Sequence, residues 1–202
     1  MKKLHRSYVH PAFLPPGLVV DRWRVQGWRG RGTYGAVYRA VEVGCEQGEP
    51  VAFKIAMFEG DRRFEREVGL LGRIHHPSVP GLLAYGEWRA SPGVSFPYIV
   101  MEWVEGAALY DWAGVHSASS RQALVLLSQV ARALEATEQA GGVHRDVKGA
   151  NVLVREADGR AMLTDYGAGR YAGAETLTAY ALPPGTPPYR SPEAWQFELR
   201  HG

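Results

Sequence analysis

The stretch of sequence that decides the fold is His144-Arg145-Asp146-Val147-Lys148-Gly149-Ala150-Asn151. It places an acid, a lysine and an asparagine at offsets of two and five residues, in a loop that follows a predicted helix. A second acid comes nineteen residues after Asp146, in Asp165-Tyr166-Gly167. A lone aspartate in a loop is more often a helix cap or a turn former. Four polar residues at these offsets, however, form a specific constellation and predict a catalytic loop.

A glycine-rich turn lies upstream, where residues 30–37 read Gly-Arg-Gly-Thr-Tyr-Gly-Ala-Val. Its glycines let the backbone approach phosphates closely and point amides at them. On its own this signal is weak, because a glycine-rich turn between strands is usually only a turn. The chain contains no Gly-x-x-x-x-Gly-Lys-Ser/Thr sequence, which excludes a Walker-type phosphate loop.

A lysine follows on the next predicted strand, Val51–Ala56. Because side chains alternate along a strand, Lys54 shares a face with Ala52. A strand lysine that points to solvent is the simpler interpretation. A lysine that faces a phosphate needs an acid to hold it, and the helix predicted at 61–74 offers Glu65 and Glu67.

Composition excludes several classes of protein. The 202 residues are 46% hydrophobic and 22% charged, which is ordinary for a globular protein. A net charge of +2 is too small to indicate nucleic acid or an acidic membrane as a partner. Cys45 is the only cysteine, so no disulfide forms within the chain, and a reducing compartment fits. With no apolar run near the ~20 residues of a membrane span and no signal-peptide core, we expect a cytoplasmic protein.

The sequence predicts a β-rich half followed by a helical half, which is an α+β fold with a linker near residues 102–106. Residues 1–22 carry several prolines and a glycine, and read as an irregular lead-in. Alternation of apolar residues predicts one strand that begins at Trp23 and further strands at 36–43, 51–56, 82–85 and 98–103.

Two amphipathic helices are predicted from apolar residues that recur at steps of three and four. The first spans 61–74, has Asp61 as its cap, and buries Phe64, Val68, Leu71 and Ile74. The second begins at Ser119-Ser120, ends at Gly141-Gly142, and has an apolar face made of Leu124, Leu127, Val130, Leu134 and the alanines between them. A short helix is expected around 109–112, a hairpin at 152–164 and an irregular segment at 167–190.

Taken in order, these motifs resemble the signature set of eukaryotic-type protein kinases. Their style is similar to that of bacterial serine/threonine members. The resemblance runs from about Trp23 to the end of the chain. It implies a bilobal protein-kinase-like fold, with a lead-in at 1–22, a β-rich small lobe with one helix at 23–104 and a partial helical large lobe at 105–202. In the family several helices follow the motif Ser191-Pro192-Glu193, so the resemblance implies an incomplete large lobe and a poorly active, marginally stable chain.

The resemblance also implies the chemistry, which is transfer of a phosphoryl group from ATP, with magnesium, to serine or threonine hydroxyls of a protein substrate. Asp146 would be the catalytic base, and Lys148 would steady the γ-phosphate. Asn151 and Asp165 would hold magnesium through oxygen atoms, as a hard cation prefers. Lys54 would approach the α- and β-phosphates in the cleft between the lobes.

Glu67 matches the position of the family's ion-pair glutamate, and with Lys54 it completes the expected catalytic set. Only 13 residues separate the two, so the loop into the helix should be short. His144 is expected to be a core histidine that does not shuttle protons. The resemblance places the ATP site at Gly30, Arg31, Gly32, Thr33, Tyr34, Gly35, Val37, Ala52, Lys54, Met101, Glu102, Val104 and Leu153.

Residues Gly185–Glu193 resemble the end of an activation segment. Thr186, together with Lys148, favours serine or threonine over tyrosine as the acceptor. In the family the arginine at the position of Arg145 receives a phosphate, and Thr178, with Thr176 as the fallback, is expected to carry it. The simpler interpretation of both threonines is that they are polar loop residues.

Two other functions fit parts of the sequence. A nucleotide-binding pseudokinase or scaffold would need only part of the motif set, whereas Lys54, Asp146, Asn151 and Asp165 are all present. A small-molecule phosphotransferase of the kinase-like class would lack the peptide-docking segment that ends at Glu193. Phosphorylation of a generic protein, as opposed to an aminoglycoside or choline, separates these functions.

Overall fold

The computed structural model describes residues 9–32, 34–45, 47–173 and 185–193. Of the residues singled out above, Thr33, Thr176 and Thr178 lie outside the described residues. The chain divides into two compact units. The first unit is Met1–Val68 with Leu82–Trp103, and the second is Gly69–Gly81 with Val104–Gly202. The lobe boundaries expected from the sequence stay a prediction.

The first unit is built on an antiparallel six-stranded sheet in the order β1-β2-β3-β4-β6-β5. Its strands are β1 Val19–Val20, β2 Trp23–Arg31, β3 Gly35–Glu42, β4 Val51–Ala56, β5 Leu82–Ser91 and β6 Val94–Glu102. The last two are longer than the predicted 82–85 and 98–103. Gly93 adopts φ of 79°, which allows a tight turn, so pairing continues out to Ser91 and Val94.

The side chains of strand β4 alternate between the two faces of this sheet. Val51, Phe53 and Ile55 belong to the main core of the unit. Ala56 packs with a helix residue, Phe64, in a second cluster on the opposite face. Since Lys54 alternates with Phe53 and Ile55, its side chain leaves the main core and lies on the helix side, as the predicted alternation requires.

The first helix, α1, spans Arg62–Leu71. Asp61 caps it, because the backbone N–H of Arg63 donates to Asp61 Oδ1 at 3.1 Å. The helix ends three residues before the predicted Ile74. The N–H of Ile74 donates to the Leu71 carbonyl at 3.1 Å, so the chain leaves the helix through a tighter turn.

Residues 11–20, which were expected to be an irregular lead-in, contain two short elements. Pro11–Phe13 form a 3-10 turn, and Val19–Val20 pair with β2. The fully buried Tyr38 hydroxyl donates to the Pro11 carbonyl at 2.7 Å and accepts from the Leu14 N–H at 3.1 Å. The prolines therefore shape an anchored segment, and its anchor is too distant in sequence for local composition to reveal it.

Tyr38→Phe is expected to lower the free energy of unfolding by about 1–3 kcal/mol, because two buried backbone groups lose their partner. Chemical denaturation of the variant and the parent measures the difference. Tyr85→Phe is the matched control, since Tyr85 is 65% exposed on β5. Equal stability losses in the two variants would show that the Tyr38 hydroxyl does not anchor the lead-in.

The second unit combines helices with two small sheets. Its helices are α2 Leu109–His116 and α3 Ser120–Gln139, and its strands are β7 Gly106–Ala108, β8 Gly142–Val143, β9 Val152–Arg155, β10 Ala161–Leu163 and β11 Arg170–Tyr171. One sheet has the order β10-β9-β7, and the other pairs β11 with β8. The predicted α+β class is confirmed. Within the part of the chain that the structure describes, no helix is both long and apolar enough to cross a membrane.

Helix α3 has the predicted bounds, with a capping box between Ser119 and Gln122. On its predicted apolar face Val130 is buried, whereas Leu124 and Leu127 are 67% and 56% exposed. The buried residues are Leu126, Val130, Ala133 and Thr137. Two hydrogen bonds also join this helix to the strand and loop beside it: Gln129 accepts the Ala161 N–H at 2.7 Å, and Thr137 meets the Tyr166 hydroxyl at 3.2 Å.

Candidate active site

Lys54 and Glu67 form a buried ion pair in the first unit. Lys54 Nζ lies 2.7 Å from Glu67 Oε1 and 2.8 Å from Oε2. The two residues are 8% and 2% exposed. Of the two acids that the sequence offered, Glu67 is therefore the one that pairs. Glu65 is exposed and lies 3.8 Å from Arg62.

The glycine-rich turn joins β2 to β3, where the Gly32 N–H donates to the Gly35 carbonyl at 2.8 Å. Gly35 lies in a crowded place, because an added Cβ would lie 3.2 Å from the Ile55 carbonyl oxygen and 3.3 Å from Phe64 Cζ. Among the described residues nothing lies within 4 Å of a Cβ built on Gly30. The contact of Gly30 with a phosphate stays a prediction.

The residues expected around adenine fall in both units. In the first unit, half-buried Ala52 pairs with half-buried Met101 across β4 and β6, and exposed Glu102 follows on β6. Val37 pairs with Lys54 across β3 and β4. Buried Val104 and half-buried Leu153 belong to the second unit. Arg31 is exposed at the end of β2, and the adenine-binding role of all these residues stays a prediction.

The second unit brings Asp146, Lys148, Asn151 and Thr186 together. Lys148 Nζ donates to Asp146 Oδ2 at 2.8 Å and to Thr186 Oγ1 at 2.6 Å. The Thr186 N–H and hydroxyl each donate to Asp146 Oδ1 at 2.8 Å. Asn151 Nδ2 donates to the Asp146 carbonyl at 2.8 Å and to Asp146 Oδ2 at 3.0 Å. Both carboxylate oxygens of Asp146 are thus oriented by donors from two segments of the chain.

These donors also set the charge of Asp146. Burial by itself raises the pKa of this carboxyl, but the hydrogen bonds from Lys148 and Thr186 outweigh it and hold the pKa below its ordinary value. The Asp146 side chain is 12% exposed, so it is mostly buried but still accessible from solvent. A carboxylate that is charged and fixed in this way can orient a hydroxyl group and accept its proton.

Asn151 and Asp165, the expected magnesium ligands, are linked through the backbone. Thr164, which precedes Asp165, donates from its N–H to the Asn151 carbonyl at 2.8 Å and from its hydroxyl at 3.1 Å. Since Asn151 commits its amide nitrogen to Asp146, its side-chain oxygen is the atom suited to a hard cation. Asp165 is exposed and holds φ of 61° and ψ of 68°, a left-handed conformation that is uncommon outside glycine.

Magnesium therefore fits the donor set. No group of three or more His, Cys, Asp or Glu side chains converges on a metal site in the described ranges. An amide oxygen, a carboxylate and the phosphates of a nucleotide do not require such a group, because Mg²⁺ commonly binds one or two carboxylates plus substrate phosphates.

His144 is a core histidine, 1% exposed. Its Nδ1 accepts the Asp146 N–H at 3.2 Å, so the proton is on Nε2, which donates to the Thr164 carbonyl at 3.0 Å. Its ring meets the Tyr166 ring edge-to-face at a centroid distance of 4.5 Å. His144 thus ties the catalytic loop to the segment that carries Asp165.

Thr137 on α3 is a supporting residue that sequence reasoning missed. Its hydroxyl donates to the Ala133 carbonyl at 2.8 Å, so the Tyr166 hydroxyl donates to Thr137 Oγ1 at 3.2 Å. Burial raises the pKa of Tyr166 to about 12, and the bond with Thr137 opposes this effect only in part. A polar residue on the buried face of an apolar helix was the available signal.

Arg145 is exposed and adopts φ of 68°. Its carbonyl oxygen would lie 2.7 Å from a Cβ on Gly185, whose φ is 95°, so Gly185 allows the segment before Thr186 to approach the catalytic loop. Thr176 and Thr178, the expected phosphate carriers, are outside the described residues. Their pairing with Arg145 stays a prediction.

Comparisons with known proteins agree with these motifs. The protein-family model described as "Protein kinase domain" matches residues 23–198. The serine/threonine-protein kinase pkn2 of Myxococcus xanthus is 36% identical in an alignment of 191 residues that covers 89% of this chain and 22% of that protein. The serine/threonine-protein kinase PknA of Mycobacterium tuberculosis is 33% identical in an alignment of 179 residues that covers 85% of this chain and 41% of that protein. The chain thus spans less than half the length of these curated relatives.

Proposed function

Because the chain belongs to the protein kinase domain family, we propose that it transfers the γ-phosphoryl group of ATP to serine or threonine hydroxyls of a protein substrate. The observation that carries this proposal is the network around Asp146, in which Lys148, Asn151 and Thr186 all donate to one carboxylate. Phosphoryl transfer depends on positioning and charge neutralisation more than on covalent chemistry, and this network supplies both.

Asp146 would accept a hydrogen bond from the substrate hydroxyl and orient its oxygen for attack. Lys148 lies within hydrogen-bond distance of both Asp146 and Thr186, so its ammonium group can neutralise charge that develops on the transferred phosphoryl group. Thr186 fixes the second carboxylate oxygen of Asp146. A serine or threonine hydroxyl is the acceptor that we propose for this arrangement.

The phosphates of the nucleotide would be held by Lys54 and the glycine-rich turn. Lys54, fixed by Glu67, presents a cation to the α- and β-phosphates, and the turn with Gly30 and Gly32 presents bare backbone to them. Asn151 and Asp165 would hold magnesium. When bound, Mg²⁺ neutralises phosphate charge and acts as a Lewis acid.

A direct assay tests this function. Incubation with magnesium and radiolabelled ATP should place label on serine or threonine of a generic basic protein substrate, and phosphoamino-acid analysis identifies the acceptor. Kanamycin and choline, offered in parallel, should remain unlabelled. Label on the small molecules alone would replace the proposal with a small-molecule phosphotransferase, and nucleotide binding without transfer would favour a pseudokinase.

A further inference from the structure

The glycine-rich turn contacts the start of helix α1 through one arginine. The Arg63 guanidinium lies over the Tyr34 ring, 3.3 Å from its centroid. Arg63 Nε also lies 2.9 Å from Asp61 Oδ1 and 3.1 Å from Oδ2. The Arg63 side chain is 11% exposed and that of Asp61 3%, whereas Tyr34 is 44% exposed, so the contact is partly shielded from water.

The same residues are fixed by backbone bonds. Asp61 accepts the Arg63 N–H as the helix cap. The Tyr34 carbonyl accepts the Met57 N–H at 3.0 Å, which ties the turn to the residue after β4. The turn, the end of β4 and the start of α1 are therefore joined by a cluster made of Tyr34, Met57, Asp61 and Arg63.

The short connection between β4 and α1 places the start of the helix beside the glycine-rich turn. Only residues 57–61 connect β4 to α1, so the helix begins close to the strand that carries Lys54. Arg63 and Glu67 are four residues apart on α1, and such residues share one helix face. The face that presents Glu67 to Lys54 thus presents Arg63 to Tyr34.

We propose that Arg63 is a positioning residue, which acts through Tyr34 to hold the glycine-rich turn in the place set by helix α1. The turn and the Lys54–Glu67 pair are then positioned together, because one helix face anchors both. This inference rests on the proposed function, in which the turn receives the phosphates of ATP. Arg63 itself contacts Asp61 and Tyr34.

A double-mutant cycle tests the contact in the full chain. Arg63→Ala and Tyr34→Leu should each raise the Kd for Mg-ATP, and the KM for ATP, by about five- to tenfold, the size of a partly shielded cation–π contact. The double variant should be no weaker than the weaker single variant, because both substitutions remove the same contact. The KM for the protein substrate should stay at its parent value, which a general loss of structure would not allow.

Arg62→Ala is the matched control, since Arg62 precedes Arg63 and its side chain is 52% exposed. It should bind Mg-ATP as the parent does. Arg63→Ala also leaves Asp61 buried without its pair, so Tyr34→Leu, which keeps that pair, carries the test if Arg63→Ala does not fold.

The outcomes separate this inference from the proposed function. If the parent binds Mg-ATP but does not transfer phosphate, the proposed function is wrong. The double-mutant cycle, measured as Kd for Mg-ATP, then still tests the contact between Arg63 and Tyr34. If the parent binds no nucleotide, the free energy of unfolding of the same four proteins is measured instead, and this double-mutant cycle decides whether Arg63 and Tyr34 interact. Additive effects of the two substitutions in whichever quantity is measured, or an Arg62→Ala variant as impaired as Arg63→Ala, would overturn the role of Arg63.

Discussion

Asp146→Asn is expected to lower the rate of phosphoryl transfer by ~10²–10⁴-fold, the usual contribution of a positioned general base. Asparagine fills nearly the same volume, but it carries no negative charge to orient the hydroxyl or take its proton. The base acts in the transition state, so the affinity for Mg-ATP should stay close to that of the parent. Single-turnover transfer and nucleotide titration measure the two quantities separately.

A second aspartate provides the control for this substitution. Asp158 lies in the hairpin between β9 and β10 and pairs with Arg155 at 2.7 Å and Arg160 at 3.3 Å. Asp158→Asn removes the same charge from the same unit and should leave transfer unchanged. Unchanged turnover in Asp146→Asn would remove Asp146 from the mechanism, and an equal loss in both variants would point to net charge.

Local features of this fold could be predicted from the sequence because their causes are local. The bounds of α3 follow from a capping serine and a terminal glycine pair within a few residues of the helix ends. The alternation that places Lys54 on the helix side follows from strand geometry alone. The choice of Glu67 over Glu65 came from the resemblance to the kinase family, and the structure has that pair.

Features that depend on distant partners could not be predicted in this way. Tyr38 anchors Pro11 across 27 residues, and Thr186 meets Asp146 across 40. The buried side of α3 includes Thr137, whose partner Tyr166 is 29 residues away. Apolar periodicity shows that a helix has a face to bury, but it does not show polar partners of this kind on distant segments.

The second large effect is expected at Lys54, where one substitution should cost both activity and stability. Lys54→Met should lower transfer by roughly 10²–10³-fold, the loss seen when a preorganised electrostatic group is removed. It also removes the lysine from a buried ion pair whose carboxylate, that of Glu67, is 2% exposed. Removing one member of a buried ion pair lowers the free energy of unfolding by about 3–5 kcal/mol. Transfer assays and denaturant unfolding of the same preparation measure the two losses.

The double variant Lys54→Met/Glu67→Leu separates the two effects. The second substitution also removes the buried carboxylate. The free energy of unfolding should then return to within about 1 kcal/mol of the parent, because apolar residues of similar volume often replace a buried ion pair without loss. Transfer should stay as low as in Lys54→Met, since no cation is restored for the phosphates. Recovery of activity together with stability would show that the pair only supports the fold, and that Lys54 does not serve the nucleotide.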